Sequence, residues 1–240
     1  RKRYSLIFKN IYDQVFVASN QLNYKFKNYN TKTFLYGNIP DLEEIGSFEN
    51  DFQRPISNKL LCFISTNKTS INPKSTYRCR YNLIKNLSQF HKSKFDLYGN
   101  GWDKIAIPMD LPFVFLFHKL RGIINFVFSG LVEDLSSKGQ VKSKREIMLK
   151  YRFCLATEPY IGKPYCAMEK IFDPMLVGCI PVYMGLPSEI IKVPKDTYIS
   201  IDKDIDAGKL IAILESYSDE QIFKIRQNIL KYLKSEKANI

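Results

Sequence analysis

The chain opens with weak patterning and becomes strongly patterned in its later part. Tyr12–Ser19 (YDQVFVAS) and Thr33–Tyr36 read as short strands, followed by a turn at Gly37-Asn38-Ile39-Pro40. Ile45–Ser57 is polar, contains Gly46 and Pro55, and shows no period, so a linker is expected, with a domain boundary near residue 57. Beyond it, Lys59–Ser65 (KLLCFIS) is a continuous apolar run with a polar end, the pattern of a strand buried on both faces. Tyr77–Phe90 carries Leu83, Leu87 and Phe90 at helical spacing, and Phe95–Tyr98 is the next strand, stopped by Gly99-Asn100-Gly101. Leu111–Leu131 is apolar and aromatic without a clear period.

The second half alternates more regularly. A short helix is expected over Ser143–Tyr151 and a strand over Arg152–Thr157. A helix over Ala167–Val177 should be kinked or shortened by Pro174, with Gly178 at its C′ position. Ile180–Met184 is a strand ended by Gly185, and Tyr198–Ile201 is the last strand. Two helices close the chain. The second has Ser218 as N-cap with Gln221 three residues on, and Ile222, Ile225, Ile229, Tyr232 and Leu233 form its apolar face. Strands alternating with helices predict an α/β fold built on a mainly parallel sheet.

Composition adds bounds. The 240 residues are 45% hydrophobic and 14% aromatic, ample for a packed core. Leu111–Phe117 and Gly122–Leu131 are interrupted by His118, Lys119 and Arg121, so neither is long enough to span a bilayer. The net charge of +12 suits phosphate-bearing ligands, nucleic acid or an anionic membrane, although the basic residues are scattered and clusters such as Lys142–Arg145 read as solvated faces. Cys62, Cys79, Cys154, Cys166 and Cys179 are odd in number and lack CxxC spacing, which argues against a zinc ribbon or thioredoxin pair and fits a reducing, cytoplasmic setting. His91 and His118 have no partner at metal-ligand spacing. The sequence contains no GxxxxGK[ST], GxGxxG, HExxH or GxSxG motif.

In an open parallel sheet, ligands bind beyond the carboxyl ends of the strands. That rule selects Ser65–Lys68, Tyr98–Trp102, Glu158–Lys170 and Gly185–Ser188. Glu158, ending a strand, suits a ribose or sugar hydroxyl, and Glu169-Lys170 lies at a helix start where a lysine can neutralise a diphosphate. Arg80, with Arg78 as its competitor, could clamp a phosphate, and the Tyr98–Trp102 turn around Asn100 would let backbone approach a ligand.

Five segments in order carry a resemblance: KLLCFISTNK (Lys59–Lys68), LYGNGWD (Leu97–Asp103), KYRFCLATEP (Lys150–Pro159), MEKIFDPMLVGCIPVYMG (Met168–Gly185) and VPKDTYISID (Val193–Asp202). Together they resemble the α-1,3/1,4-fucosyltransferases of glycosyltransferase family 10, with a weaker echo at Tyr12–Leu22. The resemblance implies a GT-B architecture of two Rossmann-like domains. Residues 1–57 would be the tail of an N-terminal acceptor-side domain and its linker, and 58–240 the C-terminal domain holding the nucleotide sugar, GDP-fucose. It implies inverting transfer with no obligatory metal cofactor, and roles in substrate binding for Arg80, Asn100, Glu158, Tyr165, Glu169 and Lys170. Met168 stands where the family has Thr, and Cys166 where it has Tyr, which Tyr165 recovers with one inserted residue. The family's catalytic carboxylate belongs to the N-terminal domain, so the base is expected upstream of Arg1. The implied partners are a nucleotide sugar and a glycan or lipopolysaccharide-type acceptor, and the basic balance of the chain would separately suit peripheral contact with an anionic membrane leaflet. Rival readings are a transferase using another nucleotide sugar, such as an exostosin-like enzyme, and a basic nucleic-acid-binding module, which would place aromatics on an exposed sheet face.

Overall fold

A computed structural model describes residues 15–17, 31–33, 49–127, 130, 132–160, 169–191 and 193–235. Strands β1 (Val15–Val17) and β2 (Thr31–Thr33) pair in parallel as a two-stranded sheet. Of the second expected strand only Thr33 falls within the described residues, and it lies in β2.

The main sheet has five parallel strands: β3 (Leu61–Ile64), β4 (Phe95–Tyr98), β5 (Phe153–Thr157), β6 (Ile180–Met184) and β7 (Ile199–Ser200). Their spatial order is β4-β3-β5-β6-β7. Among the described residues the helices in chain order are α1 (Glu49–Gln53), α2 (Tyr77–Phe90), α3 (Val114–Lys119), α4 (Arg121–Val127), α5 (Lys144–Met148), α6 (Glu169–Met175), α7 (Ser188–Ile191), α8 (Ala207–Glu215) and α9 (Asp219–Leu233). This is the expected Rossmann-like parallel sheet with flanking helices.

Alternation along the strands sorts side chains into two cores. Leu61, Phe63, Phe95, Leu97, Phe153, Leu155, Ile180 and Val182 belong to the larger, with Leu83, Ile84 and Leu87 of α2 and the buried faces of α8 and α9. Cys62, Tyr98 and Cys154 point the other way and meet Met148, Tyr151, Val177 and Cys179. Phe90, expected on the inner face of α2, is instead exposed, because it ends the helix after the buried stripe has turned away; Ile84 fills that stripe.

Capping residues set several boundaries. Ser218 and Gln221 form the reciprocal capping box of α9, and the Ser143 hydroxyl accepts from the Glu146 N–H to start α5. Pro174 shortens α6, as expected. Its carbonyl accepts the Cys179 N–H while the Met175 carbonyl accepts that of Gly178, whose φ is +59°, which makes a Schellman stop.

The expected linker is structured at its end. Phe52 of α1 is fully buried in the larger core beside Gly178. The Arg54 guanidinium donates to the carbonyls of Leu149 and Gly178, and the Arg54 carbonyl accepts from Arg226 Nη1 at 2.9 Å. Residues from 49 onward therefore pack with the main sheet and its helices. A single aromatic in a polar stretch has no period to announce it.

On the smaller core's edge, Asp96 gathers Lys138 at 2.6 Å, Lys59 at 3.4 Å and the Tyr151 hydroxyl, which itself lies 2.9 Å from that of Tyr98. Burial opposes ionisation of Asp96, but the hydrogen bonds from Lys138 and Tyr151 outweigh it and hold the carboxyl below its ordinary value. A depressed folded-state value adds stability above the unfolded value of about 4, and that stability is lost as pH falls through the folded value. Asp96→Asn is therefore expected to lower the urea midpoint at pH near 7, and the gap to the parent chain should close as pH is brought below about 4. A gap that does not change with pH would show that the carboxylate's charge is not what stabilises this edge.

Candidate functional site

The chain leaves β3 for β4 on one side and later returns to β5 on the other. The order therefore reverses between β3 and β5, which is where an open parallel sheet forms a crevice. The two strands pair only through Leu61–Phe153 and Cys62–Cys154. Beyond those pairs, Phe63, Ile64, Leu155, Ala156 and Thr157 line a cleft of about 350 Å³.

One wall is the loop after β3, locked to the turn after β4. The Asn67 N–H donates to the Asn100 carbonyl at 2.9 Å, its side-chain amide to the Gly101 carbonyl at 3.0 Å, and Trp102 Nε1 to the Ser65 carbonyl at 2.8 Å. The turn packs against Ser65 so closely that only glycine fits at 99, where φ is +121°. Asn100 is exposed at the rim and lines the cleft.

Arg80 rises from the first turn of α2 into the cleft wall. It is 3% exposed, its Nη2 donates to the Thr66 and Lys68 carbonyls at 3.4 and 3.3 Å, and its guanidinium lies 4.6 Å from the Tyr77 ring centroid. Burial draws its pKa down to about 10, so it remains charged at neutral pH. Its Nε is buried with no hydrogen-bond partner among the described residues. Arg78 does not line the cleft and instead borders a separate cavity with Tyr81 and Trp102.

Lys170, in the first turn of α6, lines the opposite side. Its Nζ lies 3.6 Å from Glu158 Oε2. Glu158 is fully buried, near the Tyr183 hydroxyl at 3.5 Å, and does not line the cleft. In this arrangement its carboxylate pairs with Lys170 inside the protein. The Thr76 hydroxyl donates to the Glu158 backbone carbonyl, which ties the end of β5 to the start of α2. Tyr165 and the side chain of Glu169 lie outside the described residues.

Two further cations converge on the cleft, Lys68 and Lys144, together with Gln140. Lys144 pairs with Asp173 at 2.9 Å across the cleft floor. Sequence reading placed Lys68 only within a strand-end loop and Lys144 within a solvated cluster. Neither position carries a pattern that reveals convergence. With four basic side chains against Asp173 and the buried Glu158, the cleft is electrostatically suited to a phosphate-rich ligand. Among the described residues no group of His, Cys, Asp and Glu could hold a metal ion, and no helix is long and apolar enough to cross a membrane.

No family model matches the sequence, and no curated protein does. Solved structures with similar chain traces include an α1,3-fucosyltransferase with GDP-fucose, at 17% identity over 78% of this chain and 43% of that one, with a TM-score of 0.43. HepE of Anabaena, in complex with UDP and glucose, is 14% identical over 99% of this chain and 65% of that one, with a TM-score of 0.49. Sucrose-phosphate synthase from Thermosynechococcus elongatus is 13% identical over 96% of this chain and 55% of that one, with a TM-score of 0.48. The chain thus spans less than two thirds of the length of each. Likenesses of this size assign neither family nor substrate.

Proposed function

We propose that this chain carries the donor-binding half of an inverting GT-B glycosyltransferase that takes fucose from GDP-fucose. The observation that carries the reading is the cleft at the β3/β5 crevice, with Lys68, Arg80, Lys144 and Lys170 converging on it. It joins three of the ordered sequence segments, Lys59–Lys68, Leu97–Asp103 and Lys150–Pro159, with Lys170, Asp173 and Pro174 of a fourth. The nucleotide diphosphate would lie along the basic walls, with the sugar toward the mouth.

Transfer then follows from charge. A base removes the proton of the acceptor hydroxyl, the new bond to the anomeric carbon forms on one face, and the bond to the diphosphate breaks on the other. Negative charge grows on the departing diphosphate, where Lys170 and Arg80 stabilise it. No residue of the described cleft is assigned as the base. Another nucleotide sugar is the alternative donor. The nucleic-acid reading is disfavoured because Phe63, Tyr98, Phe153 and Tyr183 are buried between sheet and helices, not set on an open face.

Melting in the presence of nucleotides tests the proposal. GDP or GDP-fucose at about a hundredfold excess over its Kd stabilises a binding protein by about 2.7 kcal/mol, a readily measured rise in Tm. The rise is expected to be lost in Lys170→Ala and reduced in Lys68→Ala. The ligand-dependent shift is the readout, because Lys170→Ala also strips a buried carboxylate of its counter-ion. A rise with UDP and none with GDP would overturn the fucosyl assignment, and no rise with either would overturn donor binding.

A further inference from the structure

The aromatic stretch that resisted assignment folds as α3 and α4, which pack against each other. Their apolar side chains do not enter either core. Phe126 is 83% exposed, Phe113 73%, Ile123 63% and Phe115 62%, and Leu116 and Val127 are exposed with them. A patch of this kind on a soluble surface marks an interaction site. The charge pattern indicates the partner. Between Asp110 and Glu133 there is no acidic residue, while Lys119 ends α3 and Arg121 opens α4, in a chain of net charge +12. Helices of six and seven residues extend only about 9 and 10 Å, against a hydrocarbon core of about 30 Å.

We propose that α3 and α4 form an in-plane docking surface for an anionic phospholipid bilayer. The aromatic and aliphatic side chains enter the boundary between headgroups and acyl chains, and Lys119 meets the anionic headgroups. The surface is coupled to the cleft. Asn125 Oδ1 of α4 accepts the Ile105 N–H at 3.1 Å, just after the Gly99–Trp102 turn that forms the cleft rim. Gly122 and Asn125 face the same turn across a second cavity. Docking therefore brings the cleft mouth beside the leaflet, where a lipid-borne acceptor would be presented. The inference rests on this surface and is independent of which nucleotide the cleft holds.

Co-sedimentation of the chain with phosphatidylcholine vesicles containing phosphatidylglycerol tests it. Binding is expected, weakened by raised salt and by omission of phosphatidylglycerol. The double variant Phe115→Ser, Phe126→Ser should bind about tenfold less tightly or worse. Lys119→Glu should weaken binding to the anionic vesicles alone. Unchanged melting of these variants, and an unchanged response to GDP, would show that fold and cleft are intact. Three outcomes would overturn the proposal: no sedimentation with anionic vesicles, sedimentation unaffected by the double variant, or a lipid-free dimer that the double variant dissociates. The last would assign the face to a second copy of the chain.

Discussion

Gly99→Ala is expected to cost more than about 4 kcal/mol, a large share of the roughly 5–15 kcal/mol that holds a domain of this kind folded. A Cβ at this position would lie 2.0 Å from the Ser65 carbonyl oxygen and 2.6 Å from its carbon. The obstruction is backbone, so no side chain can rotate away. Ser65 is itself fixed, since its N–H donates to the Tyr98 carbonyl at 3.1 Å and its carbonyl accepts from Trp102. The φ of +121° adds conformational strain of about 1–3 kcal/mol for any residue with a side chain. Relief would require the turn after β4 to lift off the loop after β3, and those two segments are one wall of the cleft. The variant should therefore lose nucleotide response along with stability. Gly122→Ala is the control: it adds a Cβ in a helix where nothing lies within 4 Å, and should be neutral or stabilising by up to about 1 kcal/mol. Denaturation midpoints for both would decide the matter, and a loss below about 1 kcal/mol for Gly99→Ala would mean the turn is not seated as described.

What could be read from the sequence follows the same physics. The helix Tyr77–Phe90 and the strands Phe95–Tyr98 and Ile180–Met184 have the expected bounds, because continuous apolar runs bounded by glycine, or apolar residues at helical spacing, have few other ways to be buried. Ser65–Lys68 and Tyr98–Trp102 do follow β3 and the end of β4 at the cleft, since a parallel sheet collects its loops at one edge. Gly185–Ser188 instead borders a separate cavity, and residues 161–168 lie outside the described residues. Which side chains of those loops face a ligand was not legible. Arg80 reaches the cleft and Arg78 does not, though they are two residues apart on one helix. Glu158 has the right position but an inward rotamer, fixed by Lys170 and Tyr183, residues distant in sequence. Lys144 enters the cleft because α5 packs beside α6, a tertiary fact without a local signal. The segment Phe113–Val127 misled in the opposite way. Its apolar residues have no period because they serve no core, and a pattern analysis that expects burial has no category for them.

Phe52→Ala addresses the other place where pattern failed. Truncating a fully buried phenylalanine removes its transfer free energy and leaves a cavity, together about 3–5 kcal/mol. Here the void would open between α1, α9 and the Gly178 stop of α6, which the Phe52 ring touches closely enough that a Cβ on Gly178 would sit 3.2 Å from it. At about 2–4 °C per kcal/mol for a chain of this size, the expected fall in Tm is of the order of 10 °C. A residue in a true linker would cost nothing measurable, so the size of the fall decides where the sheet domain begins. The consequence reaches the functional site through α6. Its end is held by the Arg54 guanidinium on the Gly178 carbonyl, and its start carries Lys170. Loosening α1 should therefore weaken the nucleotide-induced melting shift as well as lower the midpoint. A Phe52→Leu variant, which refills most of the volume, should recover both in parallel. Recovery of the midpoint without recovery of the shift would separate the anchoring of α6 from the position of Lys170, and would confine the role of the 49–57 segment to stability.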